Sequence, residues 1–190
     1  VRGDPFNQAT SLGPLISHTH RDKVLSYYRR ATELGANVIV GGGIPDMPEP
    51  WEEGCWIEPT LWTGLDESSQ IVKEEIFGPV LSVVRAGDLD QALAVGSQCP
   101  YGNGASIFTH NGHAARHFKQ HFNAGMIGIN VGVPAPMAWF PFTGWNQSFF
   151  GDLHIQGSES VHFFTRQKMT LTRWFESAQQ SHQDPVWKSS

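Results

Sequence analysis

The chain has 190 residues, which is enough for one substantial hydrophobic core or for one domain with an appendage. Hydrophobic residues make up 39% and charged residues 16%, which is within the range of a soluble globular protein. A formal net charge of -5 provides no basic surface for nucleic acid, so we expect no nucleic-acid partner.

A helix and two strands are predicted in the first third of the chain. Ser17–Leu34 carries apolar residues at helical spacing, and Gly35 follows as a stop signal. Asn37–Val40 and Trp56–Thr63 are predicted to be strands. The three glycines 41–43 do not match the spacing of a phosphate-binding loop, and prolines stand where its helix would begin. A flexible turn is therefore the better interpretation of this segment.

A β-α-β-α-β order is predicted for the middle of the chain. Such an order indicates parallel strands with right-handed crossovers, in a three-layer α/β domain. The first helix of this unit is expected to begin at a capping aspartate, Asp88. The elements are the strands Val80–Val84, Ala105–Thr109 and Gly125–Val131, the helix that follows Asp88, and the helix Gly112–Phe122.

Two features concern membranes and partners. No charged residue occurs from Gln120 to Gly151, but prolines interrupt this stretch and no run of 18 apolar residues survives. We therefore predict no membrane span and no membrane partner. The last apolar alternation, Met169–Phe175, predicts a lone strand that could pair with another chain, since an unpaired edge strand invites partners.

The stretch before the strand at Val80 is the first candidate site. Glu74, Glu75 and Phe77 precede the break at Gly78-Pro79 and lie on the approach to a buried strand, where α/β enzymes often hold ligands. A carboxylate there can accept hydrogen bonds from sugar hydroxyls, and a ring can pack on a flat heterocycle. The residue types alone favour an ordinary pair of solvated glutamates, because most charged side chains lie at the surface.

Histidines and cysteines form two further sets of candidates. His113, His117 and His121 are spaced to line one helix face, but no third ligand from another segment accompanies them, so we expect a solvated face and no metal site. Cys55 and Cys99 have no nearby base, so structural thiols are favoured over nucleophiles. Two cysteines cannot form a disulfide framework and fit a reducing compartment, which predicts a cytoplasmic location, or the mitochondrial matrix in a eukaryote.

Aromatic residues crowd the segment 122–151 among prolines and glycines. Such a loop after a strand could wall a substrate pocket. It could equally pack under its own rings or form a subunit contact, and the sequence leaves these alternatives open. The residues are Trp139, Phe140, Phe142, Trp145, Phe149 and Phe150.

Four motifs resemble the aldehyde dehydrogenase superfamily. They are Gly13-Pro14-Leu15, Glu74–Val80, Pro100–Gly104 with Ile107–Thr109, and Gly125–Asn130. The resemblance implies the second half of the family's α/β catalytic domain in residues 1–165. It also implies a C-terminal oligomerisation arm strand in residues 166–178, followed by a tail over 179–190, and hence a homo-oligomer, either dimer or tetramer.

The resemblance also implies roles for individual residues. Glu75 would bind the nicotinamide-ribose hydroxyls of NAD, Phe77 would pack near the nicotinamide, and Phe142 would help to line the pocket of a small aldehyde substrate. No catalytic residue is expected in this chain, because the family's nucleophilic cysteine lies upstream of the matched region. The chain opens on Val1 without an initiator methionine, so we expect a piece of a longer protein or a processed chain. Because the nucleophile is missing, we expect the chain to be inactive alone.

Three stretches are similar to the CoA-acylating branch of the family, whose members oxidise methylmalonate or malonate semialdehyde. They are Pro100–Gly104, Pro134–Gly144 and Ser148–Asp152. This similarity implies coenzyme A as co-substrate and an acyl-CoA product formed through a cysteine thioester. The alternatives are a hydrolytic aldehyde dehydrogenase that releases the free acid, and a truncated, non-catalytic remnant that only oligomerises.

Overall fold

The protein is described by a computed structural model that covers residues 1–174. Helices are interspersed with strands along the chain, as in an α/β protein. In chain order they are α1 (His18–Glu33), β1 (Asn37–Val40), β2 (Thr60–Thr63), α2 (Gln70–Lys73), β3 (Val80–Val83), α3 (Leu89–Gly96), β4 (Tyr101–Gly102), β5 (Gly104–Ile107), α4 (Gly112–His121), β6 (Met126–Ile129), β7 (Trp145–Asn146) and α5 (Gly157–Phe164).

Three of the helices, α1, α3 and α4, begin at polar capping residues. The Ser17 hydroxyl accepts the His20 N–H at 3.2 Å, and the Asp88 carboxylate accepts the Gln91 N–H at 2.8 Å. Asn111 does the same for α4, accepting from His113 at 2.9 Å. Each cap satisfies a backbone donor that has no partner within the helix. The predicted starts of α1 and α3 are therefore confirmed.

A three-stranded sheet in the order β1-β2-β3 lies beneath α1. β2 pairs antiparallel with β1 and parallel with β3, and Thr60 stands opposite Val80. The predicted strand Trp56–Thr63 is shorter than expected. Trp56 is buried at 2% exposure but lies outside the sheet, and the ladder begins only after Pro59, which has no N–H to contribute.

The main core forms between α1 and this sheet. Tyr28 from α1 meets Trp62 from β2 edge to face, with ring centroids 5.7 Å apart. The Tyr28 hydroxyl donates to the Glu58 carbonyl at 2.7 Å, and burial raises the pKa of this phenol. The other buried members of the cluster are Val24, Ala31, Ile57, Leu65, Ile71 and Ile76.

The predicted β-α-β-α-β unit is correct for its second half and wrong for its first. β5 and β6 form a parallel pair connected through α4, as expected. However, β3 belongs to the other sheet, and the described residues contain no ladder between β3 and β5. After α3 the chain first enters β4, which pairs antiparallel with β7. The order of elements along the chain therefore did not determine which strands are neighbours.

The described residues form two compact units. The first contains Val1–Ala135 and Thr143–Phe150, and the second contains Pro136–Phe142 together with residues 151–174. In the second unit the Phe142 N–H donates to the Ile155 carbonyl at 2.8 Å. His154 donates its backbone N–H to Glu159 at 2.8 Å, and its ring also contacts that carboxylate; these hydrogen bonds lower the pKa of Glu159.

The predicted C-terminal strand Met169–Phe175 forms no strand in its described part, residues 169–174. Residues 169–174 carry no sheet pairing, and Phe175 lies outside the described residues, as does the tail 179–190. A strand needs a neighbouring strand to hydrogen-bond with, so pairing of this segment with another chain stays a prediction. The domain boundaries expected at 165 and 178 also stay predictions. No helix within residues 1–174 is long and apolar enough to cross a membrane.

Candidate functional site

The candidate site is the loop that leads from α2 into β3. Glu74 is extended and ends α2, and its N–H donates to the Gln70 carbonyl at 2.8 Å. Ile76 is buried at 8% exposure and anchors the loop in the main core. The Pro79 carbonyl accepts the Thr60 N–H at 2.8 Å, which ties the end of the loop to β2. The loop is therefore fixed at both ends and in its middle.

The two adjacent glutamates have different environments. The Glu74 carboxylate accepts a hydrogen bond from the Tyr27 hydroxyl at 2.9 Å and another from the Gln70 amide. Arg30 in turn donates to Gln70 at 2.9 Å. The Glu75 side chain is exposed, and in the part of the chain that the structure describes its carboxylate makes no hydrogen bond or ion pair. Glu75 is thus the carboxylate that remains available to a ligand.

The Tyr27 hydroxyl stays a donor over a wide pH range. Its hydrogen bond to the Glu74 carboxylate, followed by partial burial, raises the pKa of the phenol above its ordinary value of 10.0. A protonated phenol can donate a hydrogen bond to a carboxylate, whereas a negatively charged phenolate would repel the carboxylate. This contact links α1 to the loop immediately before Glu75.

Phe77 projects from the same loop. Its side chain is 72% exposed, and its backbone adopts a left-handed conformation with φ of 59°. His20 contacts it from α1: the His20 Nε2 atom lies 2.8 Å from the Phe77 carbonyl oxygen. Since most large aromatic side chains are at least partly buried, a ring this exposed next to an open carboxylate is a candidate ligand contact.

A groove of about 360 Å³ runs along this loop. Its lining includes Glu74, Glu75, Phe77 and Gly78 from the loop and Ser82 from β3. The groove combines carboxylate oxygens that can accept hydrogen bonds with an apolar ring that can pack on a flat heterocycle. Hydroxyl groups and a planar ring are therefore the chemical features that it can recognise.

Phe142, the third residue expected at the site, lies in the second unit. Its backbone is paired with Ile155, and its side chain is 41% exposed. The structure brings Glu75 and Phe77 together on one loop, whereas Phe142 belongs to the other unit, and its role in a substrate pocket stays a prediction. The aromatic segment around it is largely exposed, with Trp139, Phe140 and Phe150 at 54% or more, and both of its interpretations stay open.

The three histidines of α4 do line one face, as predicted. His117 stacks between His113 and His121, with ring centroids 6.2 and 4.2 Å away. The His117 Nε2 atom lies 2.7 Å from the carboxylate of Asp90, a partner from α3 that sequence reasoning missed. Within residues 1–174, no group of three or more His, Cys, Asp or Glu residues is arranged to hold a metal ion.

Two other candidates from the sequence are the pair of cysteines and the glycine turn after β1. Cys55 and Cys99 are both free and half-buried thiols. The glycine turn after β1 is closed internally, because the Gly42 N–H donates to the Thr60 hydroxyl at 2.9 Å. An amide already bonded in this way cannot bind a phosphate, which agrees with the rejection of a phosphate-binding loop.

Sequence reasoning missed two residues that support the site, His20 and Tyr27. A signal was present, because these residues and Val24 are spaced to lie on one face of α1. In the sequence, Tyr27 is one of the apolar residues at helical spacing in Ser17–Leu34. Nothing in the local sequence indicated that this face would contact the loop around Glu75.

Comparison with known proteins identifies the family. The sequence model of the aldehyde dehydrogenase family matches residues 1–170. The malonate-semialdehyde dehydrogenase 1 of Geobacillus kaustophilus is 46% identical over 174 residues, which are 92% of this chain and 35% of that protein. The structure of a methylmalonate-semialdehyde dehydrogenase from Oceanimonas doudoroffii superimposes with a TM-score of 0.87 at 37% identity, over 94% of this chain and 36% of that one.

A Sinorhizobium meliloti 1021 protein, solved as a complex with NAD, superimposes with a TM-score of 0.89 at 36% identity, over 94% of this chain and 36% of that one. The chain belongs to the aldehyde dehydrogenase family. It spans about a third of the length of the curated relatives that it matches. The predicted fold class, part of an aldehyde dehydrogenase catalytic domain, is therefore confirmed.

Proposed function

We propose that this chain is the C-terminal part of an NAD-dependent enzyme that oxidises methylmalonate or malonate semialdehyde to an acyl-CoA. The observation that supports this proposal most directly is the loop that places an exposed Glu75 carboxylate, without a described partner, two residues before the exposed Phe77 ring. The similarity to semialdehyde dehydrogenases over more than nine tenths of the chain supports the substrate class.

The loop fits the nicotinamide end of NAD. The Glu75 oxygens can accept hydrogen bonds from both ribose hydroxyls, because no described group of the protein occupies them. The Phe77 ring is 72% exposed and offers a face or edge for the nicotinamide. NAD, when bound, would accept the hydride that leaves the aldehyde carbon.

The two residues would act by orientation. Hydride transfer needs a defined distance and angle between donor and acceptor carbons, and small displacements reduce the rate strongly. Glu75 would restrict the ribose and Phe77 would restrict the ring attached to it. The support of this loop by α1, through Tyr27 and His20, provides the rigidity that such a role requires.

The covalent step would use a cysteine from the part of the relatives that this chain does not span. Its thiolate would add to the aldehyde carbonyl, and transfer of hydride from that carbon to NAD would leave a thioester. The thiol of coenzyme A would then attack the thioester, take the acyl group and release the cysteine thiol. Cys55 and Cys99 are not proposed for this role, because the family's nucleophile is expected upstream of the matched region and a displaced nucleophile would lose the required geometry. We therefore propose that the 190-residue chain alone does not oxidise aldehydes.

The remaining partners are also proposals. The substrate is a small aldehyde whose pocket Phe142 would help to line, and the assembly is a dimer or tetramer to which the segment 166–178 would contribute. The rival functions are a hydrolytic aldehyde dehydrogenase and an oligomerising remnant without activity.

Product analysis tests this proposal. The longest natural polypeptide that contains this chain is incubated with NAD, coenzyme A and malonate or methylmalonate semialdehyde. We expect an acyl-CoA by mass spectrometry. Free acid as the sole product in the presence of coenzyme A would instead establish the hydrolytic alternative, and absence of any NADH would favour the remnant.

A further inference from the structure

Phe77 holds a backbone conformation that its side chain disfavours. With φ of 59° it lies in the left-handed region, where the Cβ of a non-glycine residue crowds the adjacent carbonyl oxygen. Such a conformation persists only where surrounding contacts maintain it. The residues on either side supply part of this restraint, because Ile76 is buried and Gly78 packs against Val24.

The contact at Gly78 is close. A methyl group placed on Gly78 would lie 2.9 and 3.0 Å from the two γ carbons of Val24. The backbone of the loop therefore lies directly against α1. This packing fixes the position of residue 78 but does not determine the direction of the Phe77 peptide group.

His20 contacts that peptide group directly. Its Nε2 atom lies 2.8 Å from the Phe77 carbonyl oxygen, and because a carbonyl only accepts, Nε2 must carry the hydrogen. The imidazole also meets the Phe77 ring edge to face, with centroids 6.2 Å apart and planes at 71°. One side chain thus holds both the backbone and the ring of Phe77.

His20 is itself well placed for this role. It is half-buried in the first turn of α1, and its N–H donates to the capping hydroxyl of Ser17. Val24 follows one turn later on the same face. The helix therefore presents a polar contact to Phe77 and an apolar contact to Gly78 from one rigid surface.

We propose that His20 is a positioning residue that keeps the Phe77 backbone left-handed and thereby sets where the Phe77 ring meets the nicotinamide. The second part rests on the proposed function of Phe77. Without the His20 donor, Phe77 can relax to a negative φ, which rotates its ring and shifts the neighbouring Glu75. The affinity for NAD should fall, while the site of the aldehyde should be unaffected.

Two substitutions separate the hydrogen bond from the ring contact. His20→Phe keeps an aromatic ring but removes the donor, and His20→Gln keeps an N–H donor at a similar reach. In the longest natural polypeptide, His20→Phe should raise KM for NAD roughly three- to tenfold, which is the effect expected from the loss of one hydrogen bond. It should not change KM for the aldehyde. His20→Gln should restore the original value. The matched control is His18→Gln, at the exposed first residue of α1, which should change neither constant.

A double-mutant cycle tests whether His20 acts through Phe77. In a Phe77→Ala background, His20→Phe should have no further effect on KM for NAD, because the group that it positions is gone. Additive effects of the two substitutions would overturn the inference. If Phe77→Ala alone leaves KM for NAD unchanged, the proposed function of Phe77 fails, and the structural measurement below still decides the role of His20.

A crystal structure of the His20→Phe protein gives a readout that does not depend on NAD. We expect Phe77 to leave the left-handed region and its ring to change direction. A Phe77 that stays near its present φ of 59° with an unchanged ring would show that His20 does not hold it, whatever the kinetics.

Discussion

The Tyr27 hydroxyl donates a 2.9 Å hydrogen bond to the Glu74 carboxylate across 47 positions of sequence. This contact gives two chemically identical neighbours different roles. Glu74 is held by α1 and by Gln70, whereas Glu75 points its carboxylate to no described partner. The first prediction follows from this difference.

Glu75→Gln should weaken the proposed NAD site more than Glu74→Gln does. The change keeps the size of the side chain but removes the charge that strengthens a hydrogen bond from a ribose hydroxyl, which contributes about 1.5–3 kcal/mol. We expect kcat/KM for NAD to fall roughly tenfold or more. Glu74→Gln is the matched control, since its amide oxygen can still accept from Tyr27. Equal and negligible losses of kcat/KM for NAD at both positions would show that Glu74 and Glu75 are ordinary surface glutamates.

Tyr27→Phe should destabilise the protein at neutral pH. It should also remove the part of the loss of stability at alkaline pH that comes from the titration of Tyr27. The hydrogen bond to Glu74 raises the pKa of Tyr27 in the folded protein above 10.0. The resulting stability is fully present below the unfolded value near 10 and is lost as pH rises through the higher folded pKa. Urea denaturation of both proteins from pH 7 to 11 should show a difference of about 1 kcal/mol that shrinks at alkaline pH. A difference that does not depend on pH would contradict this assignment.

Gly78→Ala should be destabilising because of Val24. The added methyl would lie about 3 Å from both Val24 γ carbons, and Val24 is completely buried and cannot move freely. Overpacking of this kind costs about 1–3 kcal/mol. Gly132→Ala is the matched control, since nothing lies within 4 Å of its Cβ position. In thermal unfolding, Val24→Ala combined with Gly78→Ala should cost less than the sum of the two single changes; strict additivity would rule out the clash.

The purified 190-residue chain should produce no NADH from NAD, coenzyme A and a semialdehyde. The chemical reason is that the cysteine proposed to attack the aldehyde carbon comes from the part of the relatives that this chain does not span. Neither Cys55 nor Cys99 is proposed to replace it. The assay is absorbance of NADH, with the longest natural polypeptide as the positive control. Turnover by the chain that Cys55→Ser or Cys99→Ser abolishes would mean that one of these thiols is a nucleophile.

Local signals in the sequence predicted most individual elements. Ser17 and Asp88 marked the starts of α1 and α3 because a cap acts on residues within its own helical turn. The two-residue strands β4 and β7 and the single-turn helix α2 were missed, since two strand residues or one helical turn carry too little periodicity to be recognised. α5 was also missed, and it has no buried residue that would mark a core-facing stripe.

The sequence by itself determined the family and the position of the candidate loop, because the motif Glu74–Val80 is contiguous and its residue types can be read directly. Only the tertiary structure decided that the Glu74 carboxylate accepts a hydrogen bond from Tyr27 while the Glu75 carboxylate has no described partner. It alone decided that His20 contacts the Phe77 carbonyl oxygen. It also decided that β3 and β5 belong to different sheets. The physical reason is that these contacts join residues far apart in the chain, so they depend on how α1 packs against the loop and on which strand edges meet.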